Sequence, residues 1–123
     1  MTDHPLVSIV DDDESARRAM ANLARSLGWR VRTFESAEAL LTADSLDEVC
    51  CVISDVQMPG MTGVEMQDRL IERGVKLPII FVSAFATDSL RQRAFKNGAL
   101  CFLTKPVDGS EVARMLDSVE RFA

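Results

Sequence analysis

The chain has 123 residues, of which 47% are hydrophobic and 27% charged, a composition typical of one compact globular domain. Its formal net charge of −5 argues against nucleic-acid binding by this domain itself. No apolar stretch approaches the ~20 residues that span a bilayer, and Met1–Pro5 lacks the basic start of a secretion signal. We therefore predict a single domain over residues 1–123, cytoplasmic and without membrane contact.

Cysteine and histidine usage restricts the chemistry further. The three cysteines lie in apolar runs without C-x-x-C spacing, which predicts buried, reduced thiols rather than a disulfide or metal site. The chain has one histidine, His4, and no tyrosine. A Ser-His-Asp triad or a histidine-rich zinc site therefore lacks its parts, unless His4 itself contributes.

From the N-terminus onward, short apolar runs alternate with segments of helical period. A stripe of small and apolar residues predicts the first helix: Ala16, Ala19, Met20, Leu23, Ala24 and Leu27. Gly28 is a natural stop for this helix, and Ser36 is an N-cap for the next. The predicted elements are, in order, a strand over Leu6–Val10, a helix over Glu14–Leu27, a strand over Trp29–Phe34, a helix over Ser36–Leu41 and a strand over Val49–Ser54.

The second half opens with a loop over Asp55–Gly63. Within it, Thr62 and Glu65 have the spacing of a capping box for a helix that runs to Arg73. The remaining predicted elements are a strand over Pro78–Ser83, a helix capped by Thr87 or Asp88 and ended by Gly98, a strand over Leu100–Leu103, and a helix from Ser110 to Phe122. Strands that are continuously apolar and alternate with helices predict an α/β fold, a five-stranded parallel sheet covered on both faces. Right-handed crossovers favour a doubly wound arrangement.

In such a sheet the functional crevice lies outside the carboxyl ends of the strands. Polar residues end or follow four of the predicted strands: Asp11, Asp12 and Asp13 at the first, Asp55 at the third, Ser83 at the fourth, and Thr104 and Lys105 at the fifth. Each of them alone is more typical of a solvated loop or a helix cap. Their combination at one edge of the sheet favours a functional site.

The chemistry of these residues suits phosphoryl transfer with a divalent cation. The carboxylates of Asp11, Asp12 and Asp55 would repel one another, and an oxygen-only ligand set completed by water suits Mg²⁺. Lys105 adds a cation and Ser83 a hydroxyl donor, which stabilise charge on a transferring phosphoryl group. Asp55 stands alone at its strand end and is the candidate nucleophile for an acyl phosphate.

Four segments together resemble the receiver domain of bacterial two-component response regulators: IVDDD at 9–13, DVQMPGMTG at 55–63, the strand Pro78–Ser83 with Ala84, and Lys105-Pro106. The likeness extends over essentially the whole chain. The segment GALCFL before the lysine is similar to the nitrogen-fixation and nodulation type of regulator. The resemblance implies a flavodoxin-like fold with strand order 2-1-3-4-5.

The resemblance also implies the reaction. Asp55 would be the phosphoacceptor, taking a phosphoryl group from a phosphohistidine on a sensor histidine kinase or phosphotransfer protein. Asp12 and Asp55 would bind Mg²⁺ directly, Asp11 largely through water, and the Gln57 backbone carbonyl would complete the protein ligands. Such a domain catalyses its own phosphorylation and dephosphorylation and does not turn over a separate substrate.

Further roles implied by the resemblance concern the switch. Ser83 would turn toward the new phosphoryl oxygen, and Lys105 would pair with another. Phe102 would be the aromatic whose rotamer reports that movement to the face of the fourth helix, fifth strand and fifth helix, the surface expected for a homodimer. Ser83 stands where Thr is more frequent, and Phe102 where Tyr is common, so the outward hydrogen bond of a tyrosine is lost.

Several alternatives stay open at this point. The output is either transcription, through a DNA-binding domain outside this chain, or that of a stand-alone regulator that relays phosphoryl groups or docks on a partner. A pseudo-receiver that has kept the fold and lost the chemistry is a second rival. A phosphatase or phosphotransferase acting through an aspartyl-phosphate is disfavoured, because Gln57 stands two residues after Asp55 and cannot act as a general acid.

Overall fold

The structure of the chain, a computed structural model, describes residues 4–43 and 46–122. The described elements are, in order, β1 (Leu6–Val10), α1 (Glu14–Ser26), β2 (Arg30–Phe34), α2 (Ala37–Leu41), β3 (Val49–Asp55), α3 (Gly63–Glu72), β4 (Ile79–Ser83), α4 (Asp88–Lys96), β5 (Cys101–Thr104) and α5 (Gly109–Phe122). The prediction about a secretion signal falls partly on residues 1–3, which lie outside the described residues. In the described part of the chain, no helix has the length and apolar character needed to cross a membrane.

All strand pairings in the sheet are parallel, and the strand order is β2-β1-β3-β4-β5. Residues of α2, α3 and α4 pack into the hydrophobic cluster on one face, and residues of α1 and α5 pack into the cluster on the other. The predicted doubly wound fold and its strand order are therefore confirmed. Every residue of β1 and β4 is buried, which explains why these strands are apolar except for Ser8 and Ser83 and do not alternate.

Two strands, β3 and β5, end one residue later than predicted, and both of these ends lie at the site edge. Asp55 is the last residue of β3 and pairs with Val82, whereas the sequence placed it at the start of a loop. Thr104 belongs to β5 and pairs with Ser83, so Lys105 is the first residue after that strand. The backbone pairing of β3 and β5 extends beyond their last apolar residues, because a polar residue at a strand end still forms backbone hydrogen bonds.

The helix starts agree with the predicted caps. The side chain of Ser36 accepts a hydrogen bond from the Ala39 N–H at 3.0 Å. Thr62 and Glu65 form the predicted capping box of α3, and Thr87, not Asp88, is the N-cap of α4. These side chains satisfy backbone N–H groups that have no partner inside the helix.

The first helix forms as predicted, but the small and apolar residues that predict it are not all buried. The buried residues of this helix are Ala21 and Ala24, whereas Ala19 is exposed and Leu27 is 40% exposed. Ala19 lines an open cleft between α1 and the segment after β5, and Leu27 is the C-cap that follows the last residue of the helix. Spacing alone does not reveal which apolar side of a helix is covered.

The three cysteines are free thiols, but only Cys51 is buried as predicted. Cys50 and Cys101 are half-buried: Cys50 lies two residues after the exposed Glu48, and Cys101 begins the edge strand β5. Trp29 is 4% exposed and packs in the cluster beneath α1 and α5, which agrees with its predicted packing role.

Candidate functional site

The first acidic side chain of the site is held in the loop after β1. The backbone N–H of Asp11 donates to the Phe34 carbonyl at 3.1 Å, which continues the pairing with β2 by one residue. Its carboxylate oxygen Oδ1 accepts the Asp13 N–H at 2.9 Å. Asp13 in turn caps α1 by accepting the Ser15 N–H at 3.2 Å, so the acidic loop both orients Asp11 and starts the helix.

Asp55, at the end of β3, is 7% exposed. Its Oδ1 accepts the Gln57 N–H at 3.3 Å, and its main-chain carbonyl accepts the Ser54 hydroxyl at 2.8 Å. Gly63, the first residue of α3, lies so close that a Cβ on it would be 2.3 Å from the Asp55 carbonyl oxygen. The helix thus packs directly against the residue that carries the carboxylate.

Three carboxylates converge at this edge of the sheet. One oxygen from each of Asp11, Asp12 and Asp55 lies within 4.8 Å of the other two; Asp11 and Asp55 are buried, and Asp12 is exposed. Burial raises the pKa of Asp11, although the Asp13 N–H and the Lys105 ammonium favour its charged form. This cluster of hard oxygen donors, open to solvent through Asp12, fits a Mg²⁺ ion that keeps several waters.

The side chain of Lys105, in the segment after β5, lies beside the same carboxylate cluster. Its Nζ is 3.2 Å from Asp55 Oδ2 and 3.6 Å from Asp11 Oδ2. Burial lowers the pKa of Lys105, but the carboxylates of Asp55 and Asp11 together outweigh burial, and the net shift is upward. The backbone N–H of Lys105 donates to the Ser83 carbonyl at 2.9 Å, and the bond to Pro106 is cis. The lysine therefore remains charged beside the two acids.

Ser83 and Gln57 lie at the same edge of the sheet but are not part of the ion pairs of Lys105 with Asp55 and Asp11. Ser83 is fully buried; its hydroxyl donates to the Phe85 carbonyl at 3.0 Å and accepts the Phe85 N–H at 3.1 Å. In this conformation the hydroxyl is bonded to the loop after β4. Gln57 is exposed, two residues beyond Asp55.

Phe102 is turned inward. It is 4% exposed, and its ring centroid lies 6.1 Å from that of Phe81. The guanidinium carbon of Arg91, from α4, lies 5.3 Å from the centroid of the Phe102 ring, within the range of a cation–π contact. This arginine connects α4 to the aromatic side chain of β5.

The fold and the site now allow comparison with known proteins. The family model for the response regulator receiver domain matches residues 7–117. This chain is a receiver domain of the response regulator family. Domains of this family generally bind Mg²⁺ through acidic residues, and the aspartate cluster of this receiver domain has the matching donors.

Curated relatives of this receiver domain include two regulators. The transcriptional regulatory protein TdiR of Thauera aromatica is 42% identical over 113 residues, which cover 92% of this chain and 48% of that protein. Nodulation protein W of Bradyrhizobium diazoefficiens is 38% identical over 114 residues, covering 93% of this chain and 49% of that protein. The chain therefore spans about half the length of these relatives.

A solved structure supports the same assignment. The crystal structure of FixJ-N is 28% identical with a TM-score of 0.87, and the match covers 100% of this chain and 98% of that one. Together with nodulation protein W, it confirms the predicted similarity to regulators of the nitrogen-fixation and nodulation type.

Three residues that contact the site were missed at the sequence level. Arg17 Nη1 donates to the main-chain carbonyl of Asp11 at 2.9 Å, Gly63 packs against Asp55, and Arg91 covers Phe102. A signal existed for Gly63, because glycine is a poor helix former and its place in the first turn of α3 indicates a close approach. The arginines carry no such signal, since their contacts depend on side-chain conformation.

Proposed function

We propose that this receiver domain accepts a phosphoryl group on Asp55 from a phosphohistidine of a sensor histidine kinase or phosphotransfer protein, in a Mg²⁺-dependent and cytoplasmic reaction. The observation that supports this most is the convergence of Lys105 with Asp11, Asp12 and Asp55. Two buried acids beside an exposed third, with one ammonium facing the buried pair, are costly as a purely structural feature. It is suited to a ligand that carries both a cation and phosphoryl oxygens.

In the proposed reaction, a carboxylate oxygen of Asp55 attacks phosphorus. The new O–P bond forms as the P–N bond to the donor imidazole breaks, and the imidazole leaves with that electron pair. Lys105 moves its contact from the Asp55 carboxylate to a phosphoryl oxygen. The phosphoryl group carries a charge of about −1.5 to −2 in place of the single charge of the carboxylate, and the ammonium compensates part of it. Asp55 thereby becomes an acyl phosphate, which water later hydrolyses.

A metal ion completes this proposal. The carboxylates of Asp12 and Asp55, that of Asp11 through water, and the Gln57 main-chain carbonyl would hold the ion. Mg²⁺ bound there would neutralise charge on the phosphoryl oxygens and orient the donor.

The proposed switch uses residues that are already poised around the site. Ser83 would exchange its bonds to Phe85 for one to a phosphoryl oxygen, which frees the loop after β4. Phe102 would report that movement to the surface of α4, β5 and α5, which we propose as a homodimer face. Because the relatives extend well beyond the matched region and TdiR is named a transcriptional regulator, we propose output through a DNA-binding domain outside this chain.

The proposal is tested by phosphorylation with acetyl phosphate, with and without Mg²⁺, followed by intact-mass analysis. We expect one added phosphoryl group on the native chain in Mg²⁺ and none on the Asp55→Asn variant. Asp47→Asn is the matched control, because Asp47 is exposed and precedes β3 at the opposite end of the sheet. A phosphorylated Asp55→Asn chain, or a native chain that takes up neither phosphate nor Mg²⁺, would contradict the proposal and favour a pseudo-receiver.

A further inference from the structure

Positive charge is unevenly distributed along this acidic chain. The segment 14–34, which forms α1 and β2, contains five arginines and a single acidic residue, Glu14, although the whole chain has a net charge of −5. The arginines are Arg17, Arg18, Arg25, Arg30 and Arg32. The side of the molecule that α1 and β2 form is therefore rich in arginine.

Part of this side forms a cleft of about 350 Å³ between α1 and β2. The cleft is lined by Arg17, Arg18, Ala21, Asn22, Arg25 and Thr33. Ala21 is four residues from both Arg17 and Arg25, so a small buried residue lies between two arginines on the same side of the helix. Thr33 supplies the wall from β2.

The polar lining is suited to an anion. Each of its polar side chains offers N–H or O–H donors, and no carboxylate lines the cleft. Arg17 donates to a neutral main-chain carbonyl, that of Asp11, so its charge is not compensated there. Arg18 pairs with Glu14 at 3.2 Å, but both side chains are largely exposed, and such pairs contribute little.

We propose that the α1–β2 cleft binds a small, multiply charged oxyanion, the diphosphate group of a phosphorylated metabolite. The planar guanidinium group of arginine can donate two parallel hydrogen bonds to the oxygens of one phosphate. Several arginines around one cleft therefore favour two linked phosphates over a single phosphate. The volume lies in the range of about 300–1,000 Å³ typical of small-molecule pockets, which argues against a macromolecule. The cleft is distinct from the one that contains Asp55 and Lys105, which opens on another side of α1.

The probe is inorganic pyrophosphate, added to the ¹⁵N-labelled chain without Mg²⁺ and at physiological ionic strength. We expect saturable shifts of the backbone amides of residues 17–25 and of Thr33. Arg25→Ala, at an exposed position, should weaken binding about tenfold, and Arg25→Lys should weaken it less because charge is kept while the fork is lost. Arg114→Ala, an exposed arginine of α5, is the matched control and should bind like the native chain.

Three results of the pyrophosphate titration would overturn the proposal: shifts that increase linearly without saturation, shifts confined to the surroundings of Asp55 and Lys105, or unchanged affinity in Arg25→Ala. A polyglutamate peptide and a short DNA duplex are titrated in parallel. If either binds these residues more tightly than pyrophosphate does, the cleft is part of a macromolecular interface and the small-ligand proposal is wrong. Far-UV circular dichroism of each variant confirms that the fold is retained.

Discussion

Gly63 links the packing of α3 to the candidate phosphoacceptor. A Cβ at this position would lie 2.3 Å from the Asp55 carbonyl oxygen, 3.0 Å from Ser54 Oγ and 3.2 Å from the Phe81 ring. The nearest of these atoms is backbone of a central strand, which cannot move without disturbing the sheet. A methyl group added at Gly63 would therefore force α3 away from Asp55.

We predict that Gly63→Ala lowers the free energy of unfolding by about 1–3 kcal/mol, as overpacking does elsewhere. Urea unfolding measures this change. Gly109→Ala is the matched control: it also lies at the start of a helix, but the nearest atoms to its added Cβ are Leu23 methyls at 3.7 Å, an ordinary contact. Equal unfolding midpoints for the two variants would refute the close-packing interpretation.

Thiol reactivity gives a second prediction at the level of single residues. Burial raises the pKa of Cys51 to about 12, so its reactive thiolate is scarce at neutral pH. We expect Cys51 to react with iodoacetamide more slowly than Cys50 or Cys101, and its rate to rise with pH without a plateau below about 12. Mass spectrometry of Cys→Ser variants at the other two positions isolates each thiol. Modification of Cys51 at the rate of half-buried Cys50 would show that β3 is accessible.

The residues of the site differ in how far the sequence could predict them. Asp11, Asp55 and Lys105 are recoverable because each follows or ends a strand, and parallel strands bring such residues to one edge. The bonds of Ser83 to Phe85 are not recoverable, since the hydroxyl has more than one partner within reach. The same holds for Arg91 over Phe102, where a long side chain of α4 chooses among several rotamers.

Among the elements, α3 depends on its N-terminal cap. The Thr62 hydroxyl accepts the Glu65 N–H at 3.1 Å, and the Glu65 carboxylate accepts the Thr62 N–H at 3.0 Å. The hydrogen bonds from Thr62 lower the pKa of Glu65 below its ordinary value of 4.5. A carboxyl group whose pKa falls on folding stabilises the fold when it is ionised, so its contribution is present above the unfolded pKa and is lost as pH falls through the folded pKa.

We therefore predict that Glu65→Ala lowers the thermal midpoint at pH 7. The difference in thermal midpoint between Glu65→Ala and the native chain should become smaller once the pH falls below about 4.5, the ordinary pKa of glutamate. Thermal melts between neutral and acidic pH measure it. Glu72→Ala is the control, because Glu72 is exposed at the C-terminal end of the same helix, pairs with Arg69 and is not part of the N-terminal cap. A pH-independent deficit in Glu65→Ala would indicate lost helix propensity or packing instead of a lost charge.

Element boundaries illustrate a second limit of prediction. Helix starts are well predicted because Ser36, Thr62 and Thr87 are capping residues with a local hydrogen-bonding role. The sequence does not predict which side of α1 is buried, because a small residue such as Ala19 suits a buried and an exposed position equally. Which of the two applies depends on the neighbouring elements, and that information is non-local.

For the whole molecule, strand polarity explains why the site exists at all. Five parallel strands place all their carboxyl ends at one edge, and the order β2-β1-β3-β4-β5 puts β1 beside β3 at the centre. The apolar strands and their alternation with helices predicted a doubly wound parallel sheet, whereas the strand order was implied by the resemblance to receiver domains. The fold therefore concentrates negative charge at Asp11, Asp12 and Asp55, and among the described residues Lys105 alone is within ion-pair distance of two of them.

This concentration of charge leads to a prediction about metal and stability. The three carboxylates lie within 4.8 Å of one another, so a cation that binds only the folded chain should stabilise it. At a hundredfold excess over the dissociation constant, Mg²⁺ should add about 2.7 kcal/mol to the free energy of unfolding. Urea titrations with and without Mg²⁺ measure the gain, and EDTA should reverse it.

Asp12→Asn should lose most of that gain, because it removes one carboxylate from an exposed position without creating a cavity. Asp47→Asn changes the net charge equally at the far end of the sheet and should keep the full gain. If both variants gained as much as the native chain, the stabilisation would arise from general screening of the net charge of −5 and not from the cluster. A gain that NaCl reproduces at matched ionic strength would lead to the same conclusion.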